Sequence, residues 1–229
     1  MTTIALNLQA VRDRIARAAD ACGRSAAGIT LLAVSKTFPP SYIERAANAG
    51  QTAFGESYVQ EAVKKITALP HLELDWHYIG PLQSNKTRTI AERFDWVHAI
   101  DREKIAERLN AARPGARGRL DVCIQVNVSG EGSKSGVAPG EEARIAEALM
   151  ALPHLRLRGL MAIPEPTPDV ALQRRRYALL RTLSERLQAA GYPLDTLSMG
   201  MSDDLEAAIA EGATIVRVGT AIFGARETL

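Results

Sequence analysis

The sequence predicts an α/β protein: a (β/α)8 TIM barrel of eight parallel strands, with an extra helix at the N-terminus. Three observations carry this prediction. Eight short apolar, β-rich runs alternate with segments of helical period; no two strand-like runs are consecutive; and neither a glycine-rich dinucleotide fingerprint nor a break in composition divides the 229 residues. Strands separated by helices need crossover connections, which make them parallel and put the helices outside the sheet. Eight such units in a chain near this length can close into a barrel. An open doubly wound sheet has the same strand count and is the alternative. Residues 1–229 read as one domain.

The elements follow in order. Ile4, Leu8, Val11 and Ile15 are spaced by four, three and four, one stripe of an opening helix. TLLAVS (30–35) leads into a helix over 40–49, AFG (53–55) into 57–68, and WHYIG (76–80) into 83–93. WVHAI (96–100) precedes a helix over 102–112, and DVCIQVNV (121–128) one over 140–151. LRGLMAI (157–163) is followed by 169–190, TLSM (196–199) by 202–211, and TIVRVG (214–219) is the eighth strand.

Composition narrows the function classes. A hydrophobic fraction of 46% and a charged fraction of 24% are those of an ordinary globular protein. A net charge of +2 gives no field that would draw nucleic acid or an anionic membrane. Of the basic clusters RLR (156–158) and RRR (174–176), the second falls in a helical stretch and reads as a solvated face. Cys22 and Cys123 have no metal spacing, so no metal is expected, and Cys123 reads as a small core residue. The first residues lack a charged leader followed by an apolar stretch, and no run is long enough to span a bilayer. A cytoplasmic location is expected.

LLAVSK (31–36) ends a buried strand on an ammonium. Lys36 either snorkels to solvent or, partly desolvated, gives up its proton and becomes a nucleophilic amine. A barrel places its chemistry at the carboxyl ends of its strands. There stand Lys36, Glu56 and Ser57, Gly80 to Asn85, Asn127 and Ser129, Met161 to Pro164, Met199 to Ser202, and Arg217 to Thr220. In SMGMSDDLEAAI (198–209), Ser202 is a natural N-cap with Asp203 and Asp204 in the first turn, a helix start that needs no ligand. The loops after the last two strands also form the phosphate site common in barrels. Gly200, Ser202, Gly219 and Thr220 offer hydroxyls and backbone N–H groups to one phosphate, provided the two aspartates point outward.

A reactive amine and an anion cradle on one rim suggest pyridoxal 5′-phosphate (PLP), whose aldehyde takes an amine. Arg217 is placed to meet the ring nitrogen. An arginine remains cationic and can only donate, so it leaves that nitrogen unprotonated and the ring a weak electron sink. The alternative for Arg217 is a salt bridge to a nearby carboxylate.

Seven segments then match a known family: LLAVSKT (31–37), FGESYVQE (54–61), WHYIGPLQSNK (76–86), QVNVSGEGSKSGV (125–137), RGLMAIP (158–164), LSMGMSDDLEAAI (197–209) and VRVGTAIFGAR (216–226). In this order and spacing they resemble the pyridoxal phosphate homeostasis proteins, single-domain relatives of the alanine racemase N-terminal barrel. The resemblance implies that Lys36 carries the internal aldimine. It implies phosphate contacts from Ser202, Gly219, Thr220 and the Met199–Gly200 turn, and the pyridine nitrogen on Arg217. Ser57 stands where the family more often has asparagine; with Asn127 it completes the expected cofactor contacts. Lys86 and Lys134 are competing amines on the same rim, expected to be solvated.

Three functions remain open: a carrier that buffers PLP and delivers it to apo-enzymes or small amines, an amino-acid racemase, and a binding module for protein or RNA. Racemisation needs a second base opposite Lys36. The two-domain racemases take it from a second domain, which is expected to be absent here since the eighth strand lies close to Leu229; Tyr58, Tyr78 and His77 are the local substitutes. The carrier reading, without catalysis and as a monomer or weak dimer, is the expectation.

Overall fold

The computed structural model describes residues 2–130 and 135–225. The apolar runs form strands β1 (Thr30–Val34), β2 (Ala53–Glu56), β3 (Asp75–Tyr78), β4 (Trp96–Ile100), β5 (Leu120–Gln125), β6 (Leu155–Met161), β7 (Thr196–Ser198) and β8 (Ile215–Val218). They pair in chain order, and β1 pairs in parallel with β8, from Thr30 opposite Ile215 to Ala33 opposite Val218. That last pairing closes the barrel and removes the open-sheet alternative. Closure also leaves no unpaired strand edge.

Helix α1 (Thr3–Ala21) buries Ile4, Leu8, Val11 and Ile15, the stripe read from the sequence, and the Thr2 side chain caps it by accepting from the Ala5 N–H. The outer helices are α2 (Pro40–Asn48), α3 (Val59–Ala68), α4 (Thr87–Arg93), α5 (Glu103–Ala112), α6 (Glu142–Met150), α7 (Val170–Ala189) and α8 (Leu205–Ala210). Among the described residues, no helix is long and apolar enough to cross a membrane. The main core lies between strands and helices. A smaller cluster of Leu32, Val34, Ala53, Ile79 and Ile215 forms apart from it, with Leu32 and Val34 on one face of β1, as expected of residues that fill a barrel interior.

Several helices begin later than their periodicity suggests. α3 starts at Val59 rather than 57, α4 at Thr87 rather than 83, and α8 at Leu205 rather than 202. In the last case the Met201 N–H bonds the Asp204 carboxylate at 2.6 Å, closing a turn ahead of the helix. Ser202 is therefore not the N-cap; Asp204 holds that position. A four-residue helix, α9 (Thr220–Phe223), follows β8 and is too short to show a period.

The basic clusters are largely matched by carboxylates. Arg174 pairs with Glu211 and Arg176 with Glu165. Arg156 and Arg158 meet Asp121 and Asp195 where β5, β6 and β7 begin, and Arg158 lies 4.7 Å over the Trp96 ring. This ionic floor is at the opposite end of the barrel from the predicted site.

Candidate functional site

Lys36 follows β1 by two residues and is half-buried. Both of its peptide neighbours are held. Ser35 is fully buried; its N–H bonds the Gly55 carbonyl, and its hydroxyl donates to Glu56 Oε1 at 2.7 Å. Thr37 has φ of 72°, the one positive φ outside glycine among the described residues, and its N–H donates to Glu61 Oε1 at 2.6 Å. Lys65 of α3, 3% exposed, joins these groups. Its ammonium donates to the Ser35 carbonyl and to Glu56 Oε1, each at 2.7 Å, and to Glu61 Oε1. Burial raises the Glu56 carboxyl above the usual carboxylate range, with Lys65 pulling the other way, and among the described residues its Oε2 has no hydrogen-bond partner.

Arg217 stands opposite Leu32 on the strand beside β1 and is 3% exposed. Its partners are neutral. Nη1 donates to the Ser198 carbonyl at 2.6 Å and to Ser198 Oγ at 2.8 Å, and Nη2 to the Ala162 carbonyl at 2.8 Å. The salt bridge weighed from the sequence does not form, and burial without a paired carboxylate lowers the guanidinium pKa. These bonds occupy three of five N–H donors.

The chain continues inward. Ser198 Oγ lies 2.8 Å from His98 Nδ1, and His98 Nε2 lies 2.9 Å from His77 Nδ1. Because Ser198 Oγ accepts from Arg217, its own hydrogen is available for His98 Nδ1, and the Nε2–H of His98 then donates to His77. Both imidazoles are neutral in that arrangement. Burial pushes His77 down to about 3; burial, His77 and Arg217 hold His98 well below the usual imidazole range.

The turn after β7 abuts Arg217, whose N–H bonds the Gly200 carbonyl at 2.9 Å. Gly200 has φ of 92°, and a Cβ there would lie 2.5 Å from the Ala208 Cβ, so the turn requires glycine. Gly219 packs against β1, with a hypothetical Cβ 3.2 Å from the Val34 carbonyl. Asp204 is withdrawn from the rim: Oδ1 accepts from the Met201 N–H and Oδ2 from the Tyr177 hydroxyl at 2.7 Å. Asp203 is exposed. The hydroxyls of Ser202, half-buried, and Thr220, exposed, make no hydrogen bond among the described residues. Met199 is fully buried in the main core, so its contribution to the rim is backbone.

The strand order thus brings Ser57, Lys36, Arg217, Gly219, Thr220, Met199, Gly200 and Ser202 to four neighbouring strand ends, β2, β1, β8 and β7. Asn127 is set apart beyond β5, where its Oδ1 accepts from the Gly130 N–H at 3.1 Å. Lys86 is half-buried at the N-cap of α4, and Lys134 lies outside the described residues.

The candidate second bases are engaged elsewhere or exposed. His77 is stacked on Trp96, with ring centroids 5.3 Å apart. The Tyr78 hydroxyl donates to the Ser57 and Pro81 carbonyls, and burial pushes it up to about 12. Tyr58 is 56% exposed. Among the described residues no cluster of His, Cys, Asp and Glu could hold a metal ion.

Residues missed from the sequence are Lys65, Glu61, His98 and Ser198. Lys65 left a signal: it occupies a core position in the stripe Val59, Ala62, Lys65, Leu69. His98 and His77 both interrupt apolar strands beside a tryptophan.

Known proteins share this arrangement of chain. The family "Alanine racemase, N-terminal domain" matches residues 6–227. The pyridoxal phosphate homeostasis protein of Pseudomonas aeruginosa is 59% identical over 227 residues, 99% of this chain and 97% of that protein. PipY of Synechococcus elongatus, solved with PLP bound, superposes with a TM-score of 0.82 at 36% identity, covering 96% of this chain and all of that one. Alanine racemase of Corynebacterium glutamicum, at 18% identity and a TM-score of 0.70, shares the fold, with 99% of this chain matched to 62% of its length. The chain belongs to the alanine racemase N-terminal domain family and, within it, to the pyridoxal phosphate homeostasis proteins.

Proposed function

We propose that this protein holds PLP covalently through the Lys36 amine and serves in the cytoplasm as a store from which apo-enzymes or small amines take the cofactor. It would do so as one domain, a monomer or weak dimer, without turning over a substrate. The observation that carries the reading is the juxtaposition of Lys36, on the rim beyond β1, with a buried arginine on the neighbouring strand that has N–H donors to spare. Its curated relative's name and the PLP-bound PipY structure support the same ligand.

When bound, PLP supplies an aldehyde that exchanges reversibly between amines. The chain's residues divide the remaining tasks. Ser202 and Thr220 offer uncommitted hydroxyls to the phosphate, beside the Met199–Gly200 turn and Gly219. Withdrawal of Asp204 to Tyr177 and Met201 lowers the local negative charge that would oppose a dianion. Arg217 would offer a remaining N–H to the ring nitrogen and, always cationic, would leave that nitrogen unprotonated. Ser57 and, from beyond β5, Asn127 would complete the contacts that hold the cofactor. Carbanion chemistry at such a ring would be weak, and His77 and Tyr78, engaged elsewhere, would not serve as the opposing base.

Borohydride treatment of the PLP-loaded protein should fix the label on the peptide containing Lys36, and Lys36→Ala should abolish it. Incubation with D- or L-alanine should leave each enantiomer converted no faster than by free PLP. Steady racemisation well above that rate would overturn the carrier reading.

A further inference from the structure

We propose that Lys65, with Glu56 and Glu61, positions the Lys36 amine by fixing the peptide units on both sides of it. The inference rests on the reading that Lys36 is the point of attachment.

The residue after Lys36 adopts a left-handed conformation, which is unfavourable for a non-glycine residue and persists only where its surroundings over-determine it. Those surroundings converge on one ammonium. Lys65 holds the Ser35 carbonyl directly, the Ser35 hydroxyl through Glu56, and the Thr37 N–H through Glu61. Three acceptors occupy all three of its donors. Stability alone does not account for the arrangement. A buried ion pair contributes no more than well-packed apolar residues of the same volume, yet Lys65 occupies a core position of α3. What the charges add is direction: short, charge-assisted bonds to backbone atoms adjoining Lys36 on either side.

Attachment needs that direction. The neutral Nζ of Lys36 adds to the aldehyde carbon, and the aldehyde oxygen leaves as water with both amine protons, so one C=N bond replaces one C=O. The addition depends on the amine's approach, and a misplacement of about 1 Å in such a step costs on the order of a hundredfold. The bonds of Lys65 and the two glutamates run to the residues on either side of Lys36. Their role is to set where the amine starts.

The test uses two variants: Glu61→Gln, which weakens the Thr37 arm and removes one carboxylate partner of Lys65, and the paired change Glu56→Gln with Lys65→Met, which removes both buried charges together. C=N formation is followed by absorbance after mixing apo-protein with PLP. Binding of pyridoxine 5′-phosphate, which has an alcohol in place of the aldehyde, is measured by calorimetry. Hydrogen exchange reports the Thr37 and Phe38 amides. The expected result is C=N formation slowed about tenfold or more, faster exchange at Thr37, and unchanged affinity for pyridoxine 5′-phosphate. Should the paired variant fail to fold, Glu61→Gln carries the test alone. Unchanged rates in folded variants, or a loss of pyridoxine 5′-phosphate affinity equal to the loss of rate, would overturn the positioning role while leaving wild-type attachment intact. Absence of any adduct on wild-type Lys36 would overturn both proposals.

Discussion

Two buried polar groups of residues support the rim, and they are built on opposite plans. Beneath Lys36, an ammonium meets two carboxylates, with Lys65 and Glu56 at 3% and 0% exposure. Beneath Arg217, a guanidinium meets two carbonyls, a hydroxyl and, beyond it, two neutral imidazoles. The first plan uses opposite charges to hold a strained turn. In the second, no carboxylate bonds the arginine directly among the described residues, and Asp204 acts on it only from a distance. Geometry on one side of the rim and electrostatics on the other are thus maintained by separate machinery.

The largest effect should come from breaking the charged cluster unevenly. Lys65→Met alone strands the Glu56 carboxyl and should cost about 3–5 kcal/mol of stability in urea unfolding. The paired change with Glu56→Gln should cost clearly less. A paired loss equal to the sum of the two single losses would mean that the pair behaves as two independent contacts.

Acid should act on the second group. The folded-state pKa of His77, about 3, and that of His98, lower than usual, both lie beneath the unfolded value of 6.5. The unfolded chain therefore takes up protons that the folded chain refuses, and stability falls as pH drops through 6.5. Between pH 7 and pH 5 the loss should be about 2 kcal/mol for each histidine that stays neutral. Glu56 has the opposite sign: its raised pKa favours the folded state at low pH and loses that contribution as pH rises above 4.5. Urea midpoints across this range should fall on acidification, and His98→Gln should remove about half of the fall.

A smaller effect sharpens the division of labour. Ser198→Ala should cost about 1–2 kcal/mol by leaving His98 Nδ1 unpaired, while the rate of C=N formation at Lys36 stays unchanged. A slowed rate would show that the two groups are coupled. Smallest of all, Thr37→Gly relieves the left-handed strain and should raise stability by up to about 1 kcal/mol in the same urea assay.

The sequence made the barrel legible because each strand is an apolar run and each helix carries its own period. Where those signals shorten, boundaries moved: α9 has four residues, too few for a stripe, and the turn before α8 imitates a capped helix. Ser202 looked like a cap because it precedes two aspartates. What decided otherwise was the Asp204 carboxylate turning back to the Met201 N–H, with Tyr177 of α7 holding its other oxygen. Lys36 and Arg217 were legible as strand-end charges on a predicted rim. Their supports were not, because a period shows which face a residue occupies but not which distant residue it meets. Lys65 was hidden by a further circumstance: a lysine in an apolar stripe is usually read as snorkelling.

Closure of the barrel also has a temporal consequence. The amine belongs to the first strand and the guanidinium to the last, and the two become neighbours only through the pairing of β1 with β8. A nascent chain emerging from the ribosome lacks the partner strand until nearly all of it has been synthesised. If Lys36 and Arg217 act together as proposed, capture of a reactive aldehyde by both would be confined to molecules in which the first and last strands have paired.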